Sequence, residues 1–159
     1  MKTIDNFLSK KDFDSLKKII TTTTFPWYYN DSKSAEGDDN FQFVHIFFWD
    51  NKILSPFWNH IAPILDKLKA KKIIRIKANL TTKKSNNIKS KMHIDTNVDK
   101  SFTSVFYVNT NNGSTLFEDG NICKSKENRI ITFKSKMKHC GVDTTDTDIR
   151  IVINFNYLQ

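Results

Sequence analysis

The chain has 159 residues, and 25 Lys and Arg against 17 Asp and Glu give it a formal net charge of +8. A hydrophobic content of 38%, with 13 phenylalanines but only four glycines and three prolines, excludes disordered, collagen-like and linker-type polymers and predicts one folded domain over residues 1–159. A domain of this size buries roughly two-thirds of the surface its unfolded chain exposes. It therefore needs no disulfide or structural metal, and Cys123 and Cys140 are expected as reduced thiols in a cytoplasmic protein.

The first ten residues lack the apolar stretch of a signal peptide, and Phe43 to Trp49, interrupted by His45, is too short to span a bilayer, so no membrane partner is expected. From Lys10 to Ile20, Phe13, Leu16, Ile19 and Ile20 form one stripe at helical spacing. Thr21 to Tyr29 reads as the start of a strand, Asn30 to Asn40 as a polar, mobile loop, and Phe41 to Trp49 as a buried strand. Ser55-Pro56 predicts an N-cap with proline at the first helical position, and the helix continues to about Ala70 with a kink or break at Pro63.

From Lys72 the apolar period changes from 3.6 to 2. Strands are predicted over 72–80, 88–95, 102–109, 114–118, 129–133 and 149–157, separated by turn signals at Asn111-Asn112-Gly113 and Asp119-Gly120-Asn121. The expected class is α+β, mainly β. Residues 1–71 would form a helical and strand support for a sandwich or barrel built from 72–159.

Within the strand predicted over 88–95, His93 and Asp95 are two apart and so point to one face. His139 follows 44 residues later, placed at the end of the strand that contains Ile131 and Phe133. Two imidazoles and a carboxylate on adjacent strands can occupy one face of an octahedral metal and leave the other open. Arg150 comes 11 residues after His139 in a strand whose other face is Ile149, Ile151, Ile153 and Phe155. An arginine there calls for an anion, either a ligand or a core carboxylate such as Asp143, Asp146 or Asp148.

His93-x-Asp95, then His139, then Arg150 resembles the signature of the Fe(II)/2-oxoglutarate-dependent dioxygenase superfamily, in the order and spacing of its prolyl-4-hydroxylase-like branch. The run from Gly113 to Glu118 resembles the strand after the first hairpin of that family, and Asn128 to Phe133 the strand leading to the distal histidine. The resemblance covers about Ile73 to Tyr157, and the small single-domain members carried by tailed phages are also similar. It implies a double-stranded β-helix, a jelly-roll or cupin-like core with N-terminal helices packed on one sheet. It implies Fe(II), 2-oxoglutarate and O2 as cofactors, with ascorbate as a reductant. His93, Asp95 and His139 would ligate iron, Arg150 would bind the far carboxylate of 2-oxoglutarate, and C–H hydroxylation would release succinate and CO2. Many members carry a tyrosine on the strand before the His-x-Asp, where this chain reads Ala78-Asn79-Leu80. Asn79 is the expected substitute, and Thr103 and Tyr107 are candidate lining residues of the cosubstrate pocket.

His45 and His60 are read as satisfied histidines, Cys140 as a small buried residue, and Trp27, Tyr28, Tyr29 and Trp49 as core, with Trp27 to Tyr29 alternatively a clamp at the barrel mouth. The expected substrate is a protein or peptide side chain, with proline suggested by the branch. Ten basic and no acidic residues between Lys67 and Lys91 keep oxidative demethylation of nucleic acid as the alternative, and a non-enzymatic cupin-like metal-binding module is a third reading. The loop Thr81 to Ser90, with Lys83, Lys84 and Lys89, is expected as a mobile lid beside the metal.

Overall fold

The computed structural model describes residues 1–33 and 40–159. In chain order its elements are β1 (Lys2–Ile4), α1 (Lys10–Ile20), β2 (Tyr28–Asn30), β3 (Gln42–Trp49), β4 (Lys52–Ile53), α2 (Trp58–Leu68), β5 (Lys72–Thr82), β6 (Phe102–Tyr107), β7 (Ser114–Phe117), β8 (Ile122–Lys124), β9 (Arg129–Lys134), β10 (His139–Val142) and β11 (Ile149–Leu158).

Helix α1 has the predicted bounds. Ser9 Oγ accepts the Asp12 N–H at 3.2 Å at its start, and Lys17 and Lys18 in its last turn complement the helix dipole. Thr21 to Thr24 do not begin a strand. The Thr21 and Thr22 hydroxyls instead donate to the Lys17 and Ile19 carbonyls at the helix end, which also accept the Thr21 and Thr22 N–H groups. The polar loop expected over Asn30 to Asn40 falls largely on 34–39, outside the described residues.

Helix α2 corrects the expected cap. Ser55 Oγ accepts the Phe57 N–H at 3.1 Å and lies 2.8 Å from His45 Nε2, so Ser55 closes a turn and the helix begins only at Trp58. Pro63 does not break it. An internal proline costs about 3 kcal/mol, but Ile61, Ile64, Leu65 and Leu68 are all buried, each contributing about 1.5–3 kcal/mol. The helix ends where Lys69 turns left-handed, at φ 53°.

The main sheet runs β1-β9-β6-β11-β5-β3-β2, with β4 paired to β3, and a smaller sheet runs β10-β7-β8. All pairings are antiparallel. Strand β11 is central, with Arg150 opposite Thr81, Val152 opposite Asn79, Asn154 opposite Lys77 and Asn156 opposite Arg75 on β5. Its alternation divides the molecule. Ile151, Ile153 and Phe155 enter the large core under α1 and α2 with Phe13, Leu16, Ile61 and Ile76. Val152 joins a smaller cluster with Val105, Tyr107, Phe117, Ile131 and Phe133 between the two sheets.

The strand expected over 88–95 is not formed. Lys89 and His93 make isolated bridges to Val142 and His139 instead, because the Asn86-Asn87 stretch before them and Thr96-Asn97 after them offer no alternating apolar face to bury. His139 is likewise not on the strand of Ile131 and Phe133. The chain turns after β9, with the Met137 N–H donating to Lys134 O at 2.9 Å, and His139 opens β10 opposite Phe117 in the smaller sheet.

Candidate metal and cosubstrate site

The paired segments at His93 and His139 exchange backbone hydrogen bonds of 3.0 Å in both directions, which brings the two imidazoles to 4.8 Å between ring centroids. One ligand atom each from His93, Asp95 and His139 lies within 4.8 Å of the others. His93 Nε2 is 3.9 Å from Asp95 Oδ1, and His139 Nε2 is 3.7 Å from Asp95 Oδ2. Each Nδ1 lies 3.0 Å from a carbonyl two residues upstream, that of Lys91 or Met137. A carbonyl only accepts, so Nδ1 carries the proton and Nε2 offers its lone pair toward Asp95. Two neutral imidazoles with free Nε2 atoms around one carboxylate form a donor set that fits a divalent cation.

The electrostatics of His139 and Asp95 agree with this donor set. Burial pushes His139 below the ordinary histidine range, with the Asp95 charge and the Met137 carbonyl opposing it. Burial alone would raise Asp95, but its neighbours, His139 and the standing charge of Arg75, outweigh it and hold the carboxyl below its ordinary range. Asn156 Nδ2 donates to Asp95 Oδ2 at 3.2 Å and Arg75 Nη2 to Oδ1 at 3.4 Å. Arg75 Nε donates to Asn156 Oδ1 at 3.1 Å, so the two orienting groups hold each other.

A cavity of about 310 Å³ opens beside the triad and reaches Arg150. The guanidinium is buried, and Nε donates to Ser125 Oγ and Nη2 to Ser114 O, each at 3.1 Å. No carboxylate among the described residues pairs with it. Asp143 pairs with Lys33 at 2.5 Å, and Asp146 accepts from the Asn112 N–H and the Thr144 hydroxyl. Between Arg150 and the triad the wall carries Asn79 Oδ1, Thr81 Oγ1 and Asn154 Oδ1, three buried polar atoms without a hydrogen-bond partner. Such groups are costly unless a ligand or water satisfies them.

Asn79 lines the cavity, whereas Thr103 and Tyr107 do not. Thr103 accepts from Asn156 at 2.9 Å and so acts on Asp95 from behind. The Tyr107 hydroxyl donates to Thr115 at 2.7 Å, and its ring packs below Arg150. Ser90 is the part of the 81–90 loop, beyond strand residue Thr81, that reaches the cavity; Lys83, Lys84 and Lys89 do not line it. The loop is hydrogen-bonded along its length to 141–148, through Lys83, Lys84, Asn87 and Ser90. Two lysines also line the site: no sequence pattern singles out Lys33, whereas strand alternation aligns Lys77 with 75, 79 and 81.

The other histidines are accounted for. His45 is buried between Pro26 O and Ser55, and His60 meets the Ser15 hydroxyl at 3.0 Å. Both cysteines are buried and free. Tyr28, Tyr29 and Trp49 are exposed, so these three aromatics are not core. No helix among the described residues is long and apolar enough to cross a membrane.

No family model and no curated protein matches the sequence. Solved structures do match the fold. An oxidoreductase of the 2OG-Fe(II) oxygenase family from Burkholderia pseudomallei aligns with TM-score 0.65 and 16% identity over 93% of this chain and 78% of its own. The chain has the fold of the 2OG-Fe(II) oxygenases. A Trichoplax adhaerens prolyl hydroxylase, solved with a hypoxia inducible factor peptide fragment, aligns at 0.69 and 10% identity over 98% of this chain and 82% of its own. A Pseudomonas putida prolyl-4-hydroxylase aligns at 0.58 and 11% over 99% and 92%. The shared architecture is the double-stranded β-helix expected from the sequence.

Proposed function

We propose that this protein is an Fe(II)- and 2-oxoglutarate-dependent dioxygenase that hydroxylates a C–H bond of a protein or peptide side chain. The observation that carries the reading is Arg150, a buried guanidinium without a carboxylate partner among the described residues, in the same cavity as His93, Asp95 and His139. A purely structural metal module has no use for that cation. When bound, Fe(II) and 2-oxoglutarate supply O2 activation coupled to cosubstrate decarboxylation, with succinate and CO2 as by-products.

The chain's own residues bind and orient. His93 and His139 present Nε2, and Asp95 presents a carboxylate held by Asn156 and Arg75. Arg150 receives the far carboxylate of 2-oxoglutarate through its remaining donors, because a planar fork suits a planar carboxylate. The Thr81 hydroxyl and the amide N–H groups of Asn79 and Asn154 are the donors available to the cosubstrate along its length, while the unpaired amide oxygens of Asn79 and Asn154 only accept and call for water. The peptide substrate is supported by the likeness to a prolyl hydroxylase solved with a peptide. Within the basic stretch 67–91, Lys67 donates to Phe7 O on the helical side while Arg75 and Lys77 face the cavity, so these three do not belong to one continuous basic surface.

The test separates metal from cosubstrate. Alanine at His93, Asp95 or His139 should abolish tight Mn(II) binding, a stand-in for Fe(II). Arg150→Lys should weaken 2-oxoglutarate binding at least tenfold with Mn(II) affinity retained. Equal 2-oxoglutarate affinity in wild type and Arg150→Ala would overturn the reading.

A further inference from the structure

The cavity holds more positive charge than the proposed cosubstrate and the protein's own acids account for. Four cationic side chains line it, Lys33, Arg75, Lys77 and Arg150, against two carboxylates, Asp95 and Asp143. Lys33 is paired with Asp143 and Arg75 with Asp95, and Arg150 is the group assigned to 2-oxoglutarate. Lys77 is left over. Among the described residues its ammonium has neither a salt bridge nor a hydrogen bond, although most of the side chain is buried. An unpaired buried cation is costly, and burial pushes Lys77 down to about 8, with Arg75 adding to the fall and Asp95 opposing it.

Its place in the sheet says which ligand it faces. Lys77 lies opposite Asn154 on one side and opposite Ile46 of β3 on the other. It is one rung from the Arg75–Asn156 pair that holds Asp95, and two rungs from Arg150. It thus stands beside the metal triad on the β3 side, whereas β11 carries Arg150 and Asn154. Ile46 and Trp49 of β3 are exposed there, and the Arg75 guanidinium lies 5.9 Å from the Trp49 ring. The result is an apolar shelf with a cation at its inner edge. At about 310 Å³ the cavity is at the small end of ligand sites, which run from roughly 300 to 1,000 Å³. A side chain fits such a space beside the cosubstrate, and a large group does not.

We propose that Lys77 is a specificity-determining residue that pairs with a carboxylate of the peptide substrate, so that the enzyme acts on an acidic peptide whose apolar portion rests on Ile46 and Trp49. The proposal rests on the oxygenase reading above. The carboxylate could belong to a Glu side chain or to a chain terminus, and the test distinguishes the two.

The protein is loaded with Zn(II) and 2-oxoglutarate, and the indole N–H resonance of Trp49, assigned with Trp49→Phe, is followed by NMR. The probes are blocked pentapeptides in matched Glu and Gln pairs, with a third member that is neutral in its side chains but carries a free C-terminal carboxylate. One carboxylate-bearing member should shift the resonance and bind about tenfold more tightly than its neutral match, and Lys77→Gln should remove that preference. Equal binding of charged and neutral members, a preference that survives Lys77→Gln, or no shift by any peptide would overturn the proposal. So would a fall in 2-oxoglutarate affinity in Lys77→Gln, which would assign the lysine to the cosubstrate. Failure of 2-oxoglutarate to bind the wild-type protein would instead refute the oxygenase reading, independently of the peptide result.

Discussion

Gly113 is the residue against which the Arg150 side chain rests: a Cβ at position 113 would stand 2.7 Å from Arg150 Cδ, 2.7 Å from the Val142 carbonyl oxygen and 2.8 Å from Asn111 Oδ1. Two of these neighbours are fixed, since the carbonyl is backbone and the Asn111 amide oxygen accepts the Gly113 N–H at 3.0 Å. The Arg150 side chain can yield, but the contact with the Val142 carbonyl remains, so the backbone at 113 or in β10 must shift as well. Gly113→Ala should therefore lower stability and weaken 2-oxoglutarate binding more than it weakens Mn(II) binding. Calorimetric titration of both ligands checks this, and unchanged cosubstrate affinity would show that Arg150 does not need its observed position.

Asn156 is expected to matter for the metal without touching it. Its amide bridges Asp95 Oδ2 and Thr103 Oγ1 and accepts from Arg75, so Asn156→Ala frees the carboxylate to rotate. Loss of such an orienting partner typically costs about 10–100-fold in metal affinity. Mn(II) titration by electron paramagnetic resonance reads the effect, and the same titration on Thr103→Val should show a smaller loss in the same direction.

Lys33 and Asp143 form an ion pair with side chains only 8% and 4% exposed. Removing one partner leaves a buried charge uncompensated, at about 3 kcal/mol or more. Lys33→Met should lower the melting temperature clearly, and the double change Lys33→Met, Asp143→Leu should recover much of the loss. If Lys33→Met melts with the wild type, the pair contributes nothing to stability.

Asp5 ties the N-terminal strand β1 to β9. It accepts from Arg129 at 2.6 and 3.0 Å and from Lys126 at 2.8 Å, and the Arg129 bond, followed by that of Lys126, holds its carboxyl far below the usual range. A carboxyl depressed on folding stabilises fully above its unfolded pKa, about 3.9, and this stabilisation fades as pH falls further. With Asp5 about a third exposed, the contribution should be about 1 kcal/mol or less. Asp5→Asn should be slightly less stable than wild type at pH 7, and denaturation curves should bring the two together toward pH 2.

The residues of the site were legible in the sequence more fully than the backbone that carries them. Residue type and order point to His93, Asp95, His139 and Arg150 because metal and carboxylate chemistry constrain them directly. The expected strand under His93 and Asp95 is instead a pair of isolated bridges, and His139 belongs to β10 rather than to β9, because a four-residue strand containing Gly141 has too little apolar pattern to be seen. The short strands β1, β8 and β10 gain their stability from neighbours across the sheet, which local sequence does not encode. Thr103 and Tyr107 fall on the correct strand but serve Asp95 and Arg150 from behind, a distinction set by the packing of β6 against β11. Lys77 is hidden in the sequence for the opposite reason. A lysine in a lysine-rich run looks like surface, and only the cavity shows it turned inward.

Strand β11 alternates between two duties, with Ile151, Ile153 and Phe155 under the helices and Arg150, Asn154 and Asn156 toward the cavity. A slip of one residue in its pairing would drive a guanidinium and two amides into hydrocarbon while turning isoleucines toward the triad. The register that buries Ile151, Ile153 and Phe155 is thus the same register that turns Arg150 to the cavity, so a chain with β11 out of step loses its core and the proposed cosubstrate anchor together.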